Sequence, residues 1–335
     1  MFNDKTVLIT GGTGSFGKKF VKTVIERYKP KKLIIFSRDE LKQFDMSHEL
    51  DNGKYKFLRF FIGDVRDQER LYEAFHGVDY VVHAAALKQI PTAEYNPFEA
   101  VKTNVLGGQN VIRAAINQKV KKVIALSTDK AANPINLYGA TKLCSDKLFV
   151  AGNAMSGDSG TIFSVVRYGN VVGSRGSVIP YFLERKKTGV LPVTDEKMTR
   201  FSITLQESVD FVLNCLDIMY GGELFVPKIP SYRIIDIVKA IAPDARTSIV
   251  GIRPGEKLHE LMITKDDARN TMEYDDFFII QPNFDWWTNK EALKKAGGKR
   301  CPEGFYYSSG KNTEWLSIED IKELVKEYCL EHGIE

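Results

Sequence analysis

The sequence predicts an α/β fold in which a doubly wound parallel sheet is followed by a smaller C-terminal α/β lobe. Six short apolar runs alternate with amphipathic helical patterns in the first half of the chain. The runs are rich in Val, Ile and Phe and apolar nearly throughout, which suits strands that are covered on both faces. Repeated strand–helix units imply a parallel sheet, and a glycine-rich turn directly after the first strand points to the Rossmann type.

The predicted elements follow from these patterns in chain order. Strands are expected at residues 6–10, 32–36, 57–63, 79–85, 122–127 and 163–169. Helical patterns lie between them at residues 17–28, 68–75 and 106–118. The rhythm breaks after about Gly173, where Gly and Pro become frequent and the elements are short and mixed.

The break in pattern predicts two domains. Residues 1–172 are expected to form the Rossmann-type domain, and residues 173–335 mainly the smaller lobe. Within the second part, a helix at 207–220 is expected to pack back on the first domain. An amphipathic pattern at 318–332 predicts a closing helix.

Composition, charge and cysteine spacing exclude several classes of protein. The 335 residues carry a formal charge of only +4, which does not argue for a nucleic-acid partner. The four cysteines are scattered and form no C-x-x-C pair, so metal sites and disulfides are not expected and a reducing compartment fits. The N-terminal residues enter a strand directly, and no apolar run approaches the roughly 18 residues of a membrane span. We expect a cytoplasmic protein without a membrane partner.

The turn after the first strand, GGTGSFG, has the spacing of a dinucleotide-binding site. Gly11, Gly14 and Gly17 form G-x-x-G-x-x-G and open a helix. Glycines allow a tight turn and a close approach of a pyrophosphate to the helix N-terminus, where N–H groups and the helix dipole favour an anion. The alternative is a glycine-rich turn without a ligand. The other residues of this turn in the predicted site are Thr13, Ser15 and Phe16.

The end of the second strand selects between NAD and NADP. An NAD site usually has an acid there that binds the ribose 2′-hydroxyl. Here the strand ends in Ser37-Arg38, a hydroxyl and a guanidinium that suit a 2′-phosphate, with Lys42 one turn later. Asp39 comes too late for the role of the acid. The segment therefore predicts NADP, and the alternative is a solvated charged loop. The residues of this segment in the predicted site are Ser37, Arg38, Asp39, Glu40, Leu41 and Lys42.

Later segments complete the predicted cofactor site. An Asp-Val pair after the third strand is expected to hold the adenine edge. Small residues after the fourth strand leave room for the cofactor, and a lysine just beyond them can meet phosphate or ribose. A valine after the sixth strand is also expected at the cofactor, whereas His83 is expected to be structural. The residues concerned are Asp64, Val65, Ala84, Ala86, Lys88 and Val171.

A Tyr–Lys pair lies just after the fifth strand. Tyr138 and Lys142 are at i and i+4 and share one face of a helix, and a nearby ammonium favours the tyrosinate by Coulomb attraction. A tyrosinate can take a proton from a sugar hydroxyl while hydride leaves the same carbon for the nicotinamide. Thr128 can complete the triad by hydrogen-bonding that hydroxyl. The alternative is a Tyr–Lys pair on the surface of a helix.

These motifs resemble those of the extended short-chain dehydrogenases/reductases. More narrowly, the chain resembles the inverting UDP-N-acetylglucosamine 4,6-dehydratases of pseudaminic acid biosynthesis over roughly residues 4–280. One departure is Ser202, where an aromatic residue is expected after MTRF. Nothing is carried over beyond about residue 283. The motifs that carry the resemblance are GGTGSFG, SRDELK, FIGDVRD, HAAALKQIPTAEYNPFE, STDKAANPINLYGATK, VRYGNVVGSRGSV, MTRF and IRPGEKLHE.

The resemblance gives a role to a second pair, Asp129-Lys130. Oxidation at C4 of the sugar makes a ketone that acidifies the C5 hydrogen, a base removes that hydrogen, C6 loses water, and the hydride returns to C6. The resemblance implies that Lys130 is the C5 base and that Asp129 protonates the departing C6 hydroxyl, where the retaining enzymes carry Asp-Glu. Lys130 must be neutral to act, so we expect burial or nearby positive charge to lower its pKa. The alternative is an ion pair that caps the strand.

The resemblance also implies where the nucleotide sugar binds. The planar fork of arginine suits phosphate oxygens, which makes Arg200 and Arg253 candidates for the diphosphate, with Glu256 on the uridine ribose. Asn170 resembles the substrate-binding asparagine of the family, and residues 175–183 are expected to line the uracil and phosphate channel. The alternative for an isolated arginine is a solvated surface charge. The predicted substrate residues are Lys88, Asn170, Arg175, Gly176, Ser177, Val178, Ile179, Pro180, Tyr181, Phe182, Leu183, Arg200, Arg253 and Glu256.

The function that the resemblance implies is NADP-dependent 4,6-dehydration of UDP-N-acetylglucosamine with inversion at C5. The product that the resemblance implies is UDP-2-acetamido-2,6-dideoxy-β-L-arabino-hexos-4-ulose, and the reaction is the first step towards pseudaminic acid. A related dehydratase and 5-epimerase for capsule or lipopolysaccharide sugars is the alternative. A non-catalytic NADP sensor is a distant one, because such proteins usually lose the Tyr–Lys pair. Apolar residues on helix 138–150 imply, by the same resemblance, a homo-oligomer.

Overall fold

A large, mostly parallel sheet runs through the centre of the molecule. The structure, a computed structural model, describes residues 1–50, 53–173, 177–285, 287, 293 and 297–334. The strands are β1 Thr6–Thr10, β2 Lys32–Ser37, β3 Leu58–Ile62, β4 Tyr80–His83, β5 Lys122–Thr128, β6 Ile162–Tyr168, β7 Asn170–Val171, β8 Val190–Val193, β9 Thr199–Ile203, β10 Leu224–Pro227, β11 Ser231–Arg233, β12 Arg246–Ile249, β13 Leu261–Ile263, β14 Thr271–Glu273, β15 Phe277–Ile280, β16 Lys299–Arg300 and β17 Tyr307–Ser308.

The helices lie between these strands and at the end of the chain. They are α1 Ser15–Arg27, α2 Glu40–Leu50, α3 Gln68–Ala74, α4 Ile90–Tyr95, α5 Pro97–Val101, α6 Gly107–Asn117, α7 Leu137–Met155, α8 Val178–Lys186, α9 Leu205–Ile218, α10 Ile234–Ile241 and α11 Ile318–His332. Short 3₁₀ turns occur at Asp129–Ala131, Gly157–Ser159 and Asp267–Asn270, and a π-helical turn at Lys102–Leu106.

The order of strands confirms the predicted fold class. Among the described residues the central sheet has the order β16-β14-β15-β10-β6-β5-β4-β1-β2-β3. The pairs from β3 to β10 are parallel, and β15, β14 and β16 continue the sheet antiparallel. The part β3-β2-β1-β4-β5-β6 is the strand order of a doubly wound Rossmann sheet. The chain adds strands in one direction from β1 to β3 and in the opposite direction from β4 onwards, so the switch point lies between β1 and β4. Ligands of such sheets bind outside the carboxyl ends of the strands at this point.

The strands of the parallel part are apolar because both of their faces are covered. β1 is buried at every position, and β2 and β5 are buried from their second residue onwards. β3 forms the edge of the sheet and is only partly buried. A continuous hydrophobic core surrounds these strands.

The chain after residue 173 contributes both to the central sheet and to a separate lobe. β10 lies beside β6, and β14–β16 extend the sheet beyond it. The elements α8, β8, β11, α10 and α11 surround a second hydrophobic core, which includes buried Ile179, Phe182, Leu191 and Ile237. The division of the chain at residue 172 stays a prediction.

The two helices predicted in this part are present and begin with capping boxes. In α9 the pair is Thr204 and Glu207, and the helix packs against α1 of the Rossmann part. In α11 the pair is Ser317 and Asp320, and the helix packs against α10. Within the described residues, no helix combines the length and apolar character needed to cross a membrane.

Candidate active site

The glycine turn forms a compact cradle between β1 and α1. Gly11 has a φ of +67°, and a Cβ atom there would lie 2.9 Å from the backbone nitrogen of Ala85. A Cβ atom on Gly17 would overlap the carbonyl oxygen of Gly12. Gly14 is the N-cap of α1 and provides no side-chain cap. Backbone without side chains at the start of a helix is suited to an anion such as a pyrophosphate.

Polar groups gather at the carboxyl end of β2, where cofactor selection is expected. The buried Ser37 Oγ accepts a hydrogen bond from Gln43 Nε2 at 2.9 Å, and Gln43 also donates to the Phe61 carbonyl. Lys42 forms an ion pair with Asp39, whose carboxylate also accepts from the backbone N–H of Lys42. The predicted cluster is therefore internally paired in part. Glu40 opens α2, and Leu41 is largely exposed.

The Arg38 guanidinium is half exposed and faces the loop after β3. Its Nη1 lies 3.7 Å from Asp64 Oδ2. Burial opposes ionisation of Asp64, but hydrogen bonds and charge from Arg66, with a further contribution from Arg38, hold the pKa of this carboxyl below its ordinary value. Val65 is buried beneath the loop, and its carbonyl accepts from Asn110 at 3.2 Å. The structure thus brings together the two segments predicted for the adenosine half of the cofactor.

A buried asparagine fixes the loop that follows β4. Asn104 Oδ1 accepts from the Leu87 N–H at 2.8 Å, and its Nδ2 donates to the Leu87 carbonyl and to Thr141 Oγ1. Asn104 lies in the π-helical turn, a feature often found at functional sites. The loop residues Ala84 and Ala86 are half-buried. Sequence reasoning missed Asn104, because a single asparagine in a helical pattern carries no signal for this bridge.

His83 lies below this loop and is structural, as expected. Its Nδ1 is 2.8 Å from Thr10 Oγ1, and its Nε2 is buried without a hydrogen-bond partner among the described residues. Burial, and secondarily the charge of Lys142, lowers the pKa of His83 to about 3. The ring is therefore neutral at physiological pH.

The predicted acid–base pair lies at the carboxyl end of β5. Asp129 is fully buried, and its Oδ1 accepts hydrogen bonds from Thr128 Oγ1 at 2.9 Å and from Lys130 Nζ at 3.0 Å. Its Oδ2 is buried without a partner among the described residues. Lys130 is 20% exposed, and its Nζ also reaches Asn170 Oδ1 at 3.4 Å. The structure therefore joins the Asp–Lys pair to the asparagine predicted to bind substrate.

The expectation of a lowered pKa for Lys130 is wrong. Burial does lower it, but the charges of Asp129 and Glu260 together outweigh burial, and the pKa of Lys130 is raised above its ordinary value. Glu260 Oε1 lies 3.6 Å from Lys130 Nζ. Sequence reasoning missed Glu260, although it is the last residue of IRPGEKLHE and an acid directly before an apolar run.

The Tyr–Lys helix packs against this turn. Asn136 is the N-cap of α7 and accepts from the Gly139 N–H at 2.8 Å. Thr128 ends β5 and lies close enough to Tyr138 to act on its pKa, and Lys142 follows one turn later on α7.

The electrostatics of the triad differ from the expectation. Burial raises the pKa of Tyr138 to about 12, and the cation that opposes this is Lys130 rather than Lys142. Burial also lowers the pKa of Lys142, against the attraction of Asp146 on the next turn of α7. Asp146 accepts from Ser127 at 2.8 Å and pairs with buried Arg167 at 3.1 Å.

The two arginines predicted to bind the diphosphate differ in exposure. Arg200 is buried, donates to the carbonyls of Thr199 and Leu258, and places Nε 3.7 Å from Glu260. Arg253 is 60% exposed and lies 3.7 Å from Glu256. The loop that carries Arg253 is tied to the N-cap of α7, because Asn136 Nδ2 donates to the Gly255 carbonyl at 2.8 Å.

Lys88 is close enough to Lys130 for their charges to interact. Burial and the charge of Lys130 both lower the pKa of Lys88. Lys88 is therefore a third cation, besides Lys130 and Arg200, in the region predicted to bind substrate.

In the segment predicted to line the uracil channel, some side chains are buried in the core and others are half-buried. Arg175 and Gly176 lie outside the described residues. Ser177 is the N-cap of α8, and its hydroxyl is buried without a hydrogen-bond partner among the described residues. The side chains of Ile179 and Phe182 pack into the second core. The half-buried residues of this segment are Val178, Pro180, Tyr181 and Leu183.

The unexpected Ser202 lies next to the substrate asparagine. It pairs with Asn170 in the register of β7 and β9 and is buried. Val171 follows in the same register opposite Ile203 and is half-buried. A small side chain at Ser202 therefore borders the predicted sugar pocket.

The doubly wound sheet and the Thr–Tyr–Lys arrangement at its edge define a short-chain dehydrogenase/reductase. The chain belongs to the family described as polysaccharide biosynthesis protein, whose profile matches residues 7–282. Two relatives from Campylobacter jejuni, both named UDP-N-acetylglucosamine 4,6-dehydratase (inverting), are 53% identical over 331 residues, covering 97% of this chain and 98% of theirs.

Other relatives carry different names. A protein of Rickettsia conorii named UDP-glucose 4-epimerase is 45% identical over 334 residues, covering 97% of this chain and 96% of its own. Among solved structures, Pen from Bacillus thuringiensis has a TM-score of 0.89 and 38% identity, covering 98% of this chain and 99% of its own. The family thus includes relatives named for two reactions on UDP-sugars.

Proposed function

We propose that the protein is an NADP-dependent UDP-N-acetylglucosamine 4,6-dehydratase that inverts C5 and so opens a route to pseudaminic acid. The observation that carries the proposal is the buried Asp129–Lys130 pair, which lies beside the Thr128–Tyr138–Lys142 triad at one sheet edge. The names of the Campylobacter relatives support the same substrate and reaction.

The cradle of Gly11, Gly14 and Gly17 fits a dinucleotide, because side chains there would collide with the backbone that a pyrophosphate must approach. Arg38 favours NADP, since its exposed guanidinium can meet a 2′-phosphate. Held by this cradle and Arg38, the cofactor would supply the reversible hydride chemistry that the reaction needs between C4 and C6 of the sugar.

The triad of Thr128, Tyr138 and Lys142 handles the C4 hydroxyl. Thr128 orients that hydroxyl, and Tyr138 takes its proton. Because Tyr138 has a high pKa, the tyrosinate must be stabilised in the loaded site, and Lys130 is the cation whose charge already favours it, while Lys142 lies one turn further along α7.

The Asp–Lys pair handles the elimination. Lys130 removes the proton from C5, and Asp129 donates a proton to the C6 hydroxyl, which leaves as water. This requires a neutral Lys130 and a protonated Asp129, which carry the same number of protons as the ion pair. One proton shift along the 3.0 Å hydrogen bond interconverts the two forms. The raised pKa of Lys130 is therefore compatible with its role, since the proton that it gives up to become neutral stays within the pair.

We assign the diphosphate to Arg200 and Arg253, and the ribose hydroxyls to Glu256, which lies 3.7 Å from Arg253. Lys88 and Arg200 are each close enough for their charges to interact with Lys130. Asn170 links this side to Lys130. We further propose that the enzyme acts in the cytoplasm as a homo-oligomer.

A second candidate is a UDP-sugar 4-epimerase, because the Rickettsia relatives carry that name. An epimerase needs only oxidation and reduction at C4, which the Tyr138 triad can supply. It has no use for the buried Asp129–Lys130 pair, whose burial is costly without a function. The pair therefore favours the dehydratase. A dehydratase serving capsule or lipopolysaccharide sugars would share this site.

The test is incubation with UDP-N-acetylglucosamine and NADP without added reductant. Mass spectrometry should find one product that has lost one water, whereas an epimerase product has the mass of the substrate. Tyr138→Phe should leave bound cofactor oxidised. Lys130→Ala should form no dehydrated product, because elimination is blocked, and reduced cofactor should accumulate slowly, because Lys130 also favours the Tyr138 anion. Lys147→Ala, an exposed lysine of α7, is the matched control and should turn over normally. Normal turnover by Lys130→Ala would overturn the assignment of the base.

A further inference from the structure

We propose that Glu260 is a positioning residue for the C5 base: its buried carboxylate holds the Lys130 amine between two acids and sets the pH at which that amine can act. The inference rests on the proposed function for its chemistry. Its geometry concerns a residue to which the known motifs give no role.

Glu260 bridges the base and the buried arginine. It is 2% exposed, and Oε1 lies 3.6 Å from Lys130 Nζ and 3.7 Å from Arg200 Nε. Lys130 Nζ also has Asp129 Oδ1 at 3.0 Å and Asn170 Oδ1 at 3.4 Å. The amine is therefore surrounded by three acceptors from three separate parts of the chain.

The surroundings of Glu260 differ from those of a structural buried carboxylate. Glu223, which is also fully buried, accepts hydrogen bonds from Ser164 Oγ and from the backbone N–H groups of Tyr220 and Gly221. Glu260 Oε2 is buried and has no hydrogen-bond partner among the described residues. A buried acceptor left unpaired is costly, and such groups in native proteins often have a functional reason.

The C-terminal segment fixes the position of Glu260. Ser309 exchanges two hydrogen bonds with it: the Glu260 N–H donates to Ser309 Oγ, and the Ser309 N–H donates to the Glu260 carbonyl, both at 2.9 Å. Ser309 Oγ is also 2.7 Å from Thr199 Oγ1, beside Arg200. The part of the chain that carries no recognisable motif therefore fixes the backbone from which the Glu260 carboxylate projects.

The arrangement suits an amine that must accept one proton in a fixed direction. A neutral lysine amine has two N–H donors and one lone pair. Once one proton has moved to Asp129, Asn170 Oδ1 and the Glu260 carboxylate are the near acceptors for the two remaining N–H groups, and the lone pair left by the shift is the position that can take the C5 proton. The resulting ammonium is stabilised by both carboxylates. Other charged or titratable groups that act on Lys130 or Glu260 are Lys88, Tyr138, Arg200, Tyr232 and Lys257.

The test removes the charge and keeps the shape. In Glu260→Gln, the alkaline fall of kcat, which reports loss of the proton that Lys130 shares with Asp129, should move to lower pH because one negative charge no longer stabilises that proton on the amine. Turnover at its optimum should fall at least tenfold, because the amide orients the amine differently. Glu260→Asp keeps the charge, so its profile should stay at the wild-type pH while kcat falls. Glu273→Gln, which loses a carboxylate from a surface ion pair, is the control.

A second readout does not depend on turnover. The pH dependence of Lys130 modification by trinitrobenzenesulfonate, followed by peptide mass spectrometry, should shift to lower pH in Glu260→Gln and not in Glu273→Gln. Unchanged modification and pH–rate curves in Glu260→Gln would overturn the proposal. If Glu260→Gln does not fold, wild-type kcat in Glu260→Asp would overturn it. If the wild type forms no dehydrated product, the modification curve still decides the role of Glu260 separately from the proposed function.

Discussion

A Cβ atom on Gly139 would overlap the carbonyl oxygen of Lys130, so the helix that carries the tyrosine lies directly against the turn that carries the base. Gly139 follows Tyr138, and its N–H is bonded to the N-cap of α7. The absence of a side chain at one position therefore sets the spacing of the two functional pairs. Sequence spacing alone gives Tyr138 and Lys142 a common face, but it says nothing of this contact.

Gly139→Ala should reduce both stability and turnover. The added methyl forces α7 away from the turn, and overpacking of this kind typically costs about 1–3 kcal/mol. A displacement near 1 Å between reacting groups can cost roughly 100-fold in rate. Urea unfolding and steady-state kinetics measure the two effects. Gly108→Ala is the control, since its Cβ would meet Phe149 and Ser145 only at 3.4 Å. Wild-type kcat in Gly139→Ala would contradict the assigned spacing.

Arg38→Ala should weaken NADP far more than NAD. Of the two cations predicted to bind the 2′-phosphate, Arg38 has a half-exposed guanidinium, whereas Lys42 is paired with Asp39. Losing a hydrogen bond to a charged group costs about 1.5–3 kcal/mol, which is roughly tenfold or more in affinity. Titration calorimetry with both cofactors measures the ratio. Lys32→Ala removes a charge at the opposite end of β2 and should leave the ratio unchanged. Equal weakening of NADP and NAD would reject the assignment.

The fold was predictable because its signals are local. Strands that are buried on both faces are apolar nearly throughout, and the glycines of the first turn follow β1 directly. Tyr138 and Lys142 are also local, since one helix carries both. Capping boxes at α9 and α11 mark the starts of helices in a region that is otherwise irregular.

The electrostatics of the site were not predictable, because distant segments create them. Burial alone should lower the pKa of Lys130, but the charge of adjacent Asp129 and then that of Glu260, which approaches from another part of the chain, together reverse the shift. Asn104 joins a loop to α7 for the same kind of reason. The side chains of Ile179 and Phe182, which the resemblance places along the channel, pack into the second core, and that packing also depends on segments distant in the chain.

His83 should make the protein less stable as the pH falls below about 6.5. Its folded-state pKa is lowered to about 3, chiefly by burial, so between these values the unfolded chain takes up a proton that the folded chain does not. The contribution of His83 to the free energy of unfolding is fully present above the ordinary histidine pKa. It is lost as the pH falls towards the folded-state pKa, by about 5 kcal/mol at most. His83→Gln should reduce the pH dependence of the free energy of unfolding, measured with urea between pH 4.5 and 7. Wild type and His76→Gln, a change at an exposed histidine, should keep that dependence. An unchanged slope in His83→Gln would contradict this.

The product should be the β-L-arabino 4-keto-6-deoxy sugar rather than the D-xylo epimer. Once the C4 ketone has formed and C5 has lost its proton, C5 is planar, and the face of reprotonation decides the series. Lys130 stands where the resemblance places a glutamate in the retaining enzymes, and it is held between Asp129 and Glu260. We expect that a lysine fixed from both sides serves the inverting course.

Deuterium oxide makes this outcome measurable. The product should carry deuterium at C5, because elimination and reprotonation both pass through that carbon, whereas the hydride moved from C4 to C6 should not exchange. Proton NMR of fresh product, recorded before the ketone epimerises in solution, reads both positions. Glu273→Gln, which lies outside the site, should give the same labelling as wild type. A D-xylo initial product, or no deuterium at C5, would rule out the inverting mechanism and leave the fold and the cofactor cradle unaffected, because neither depends on the face from which Lys130 acts.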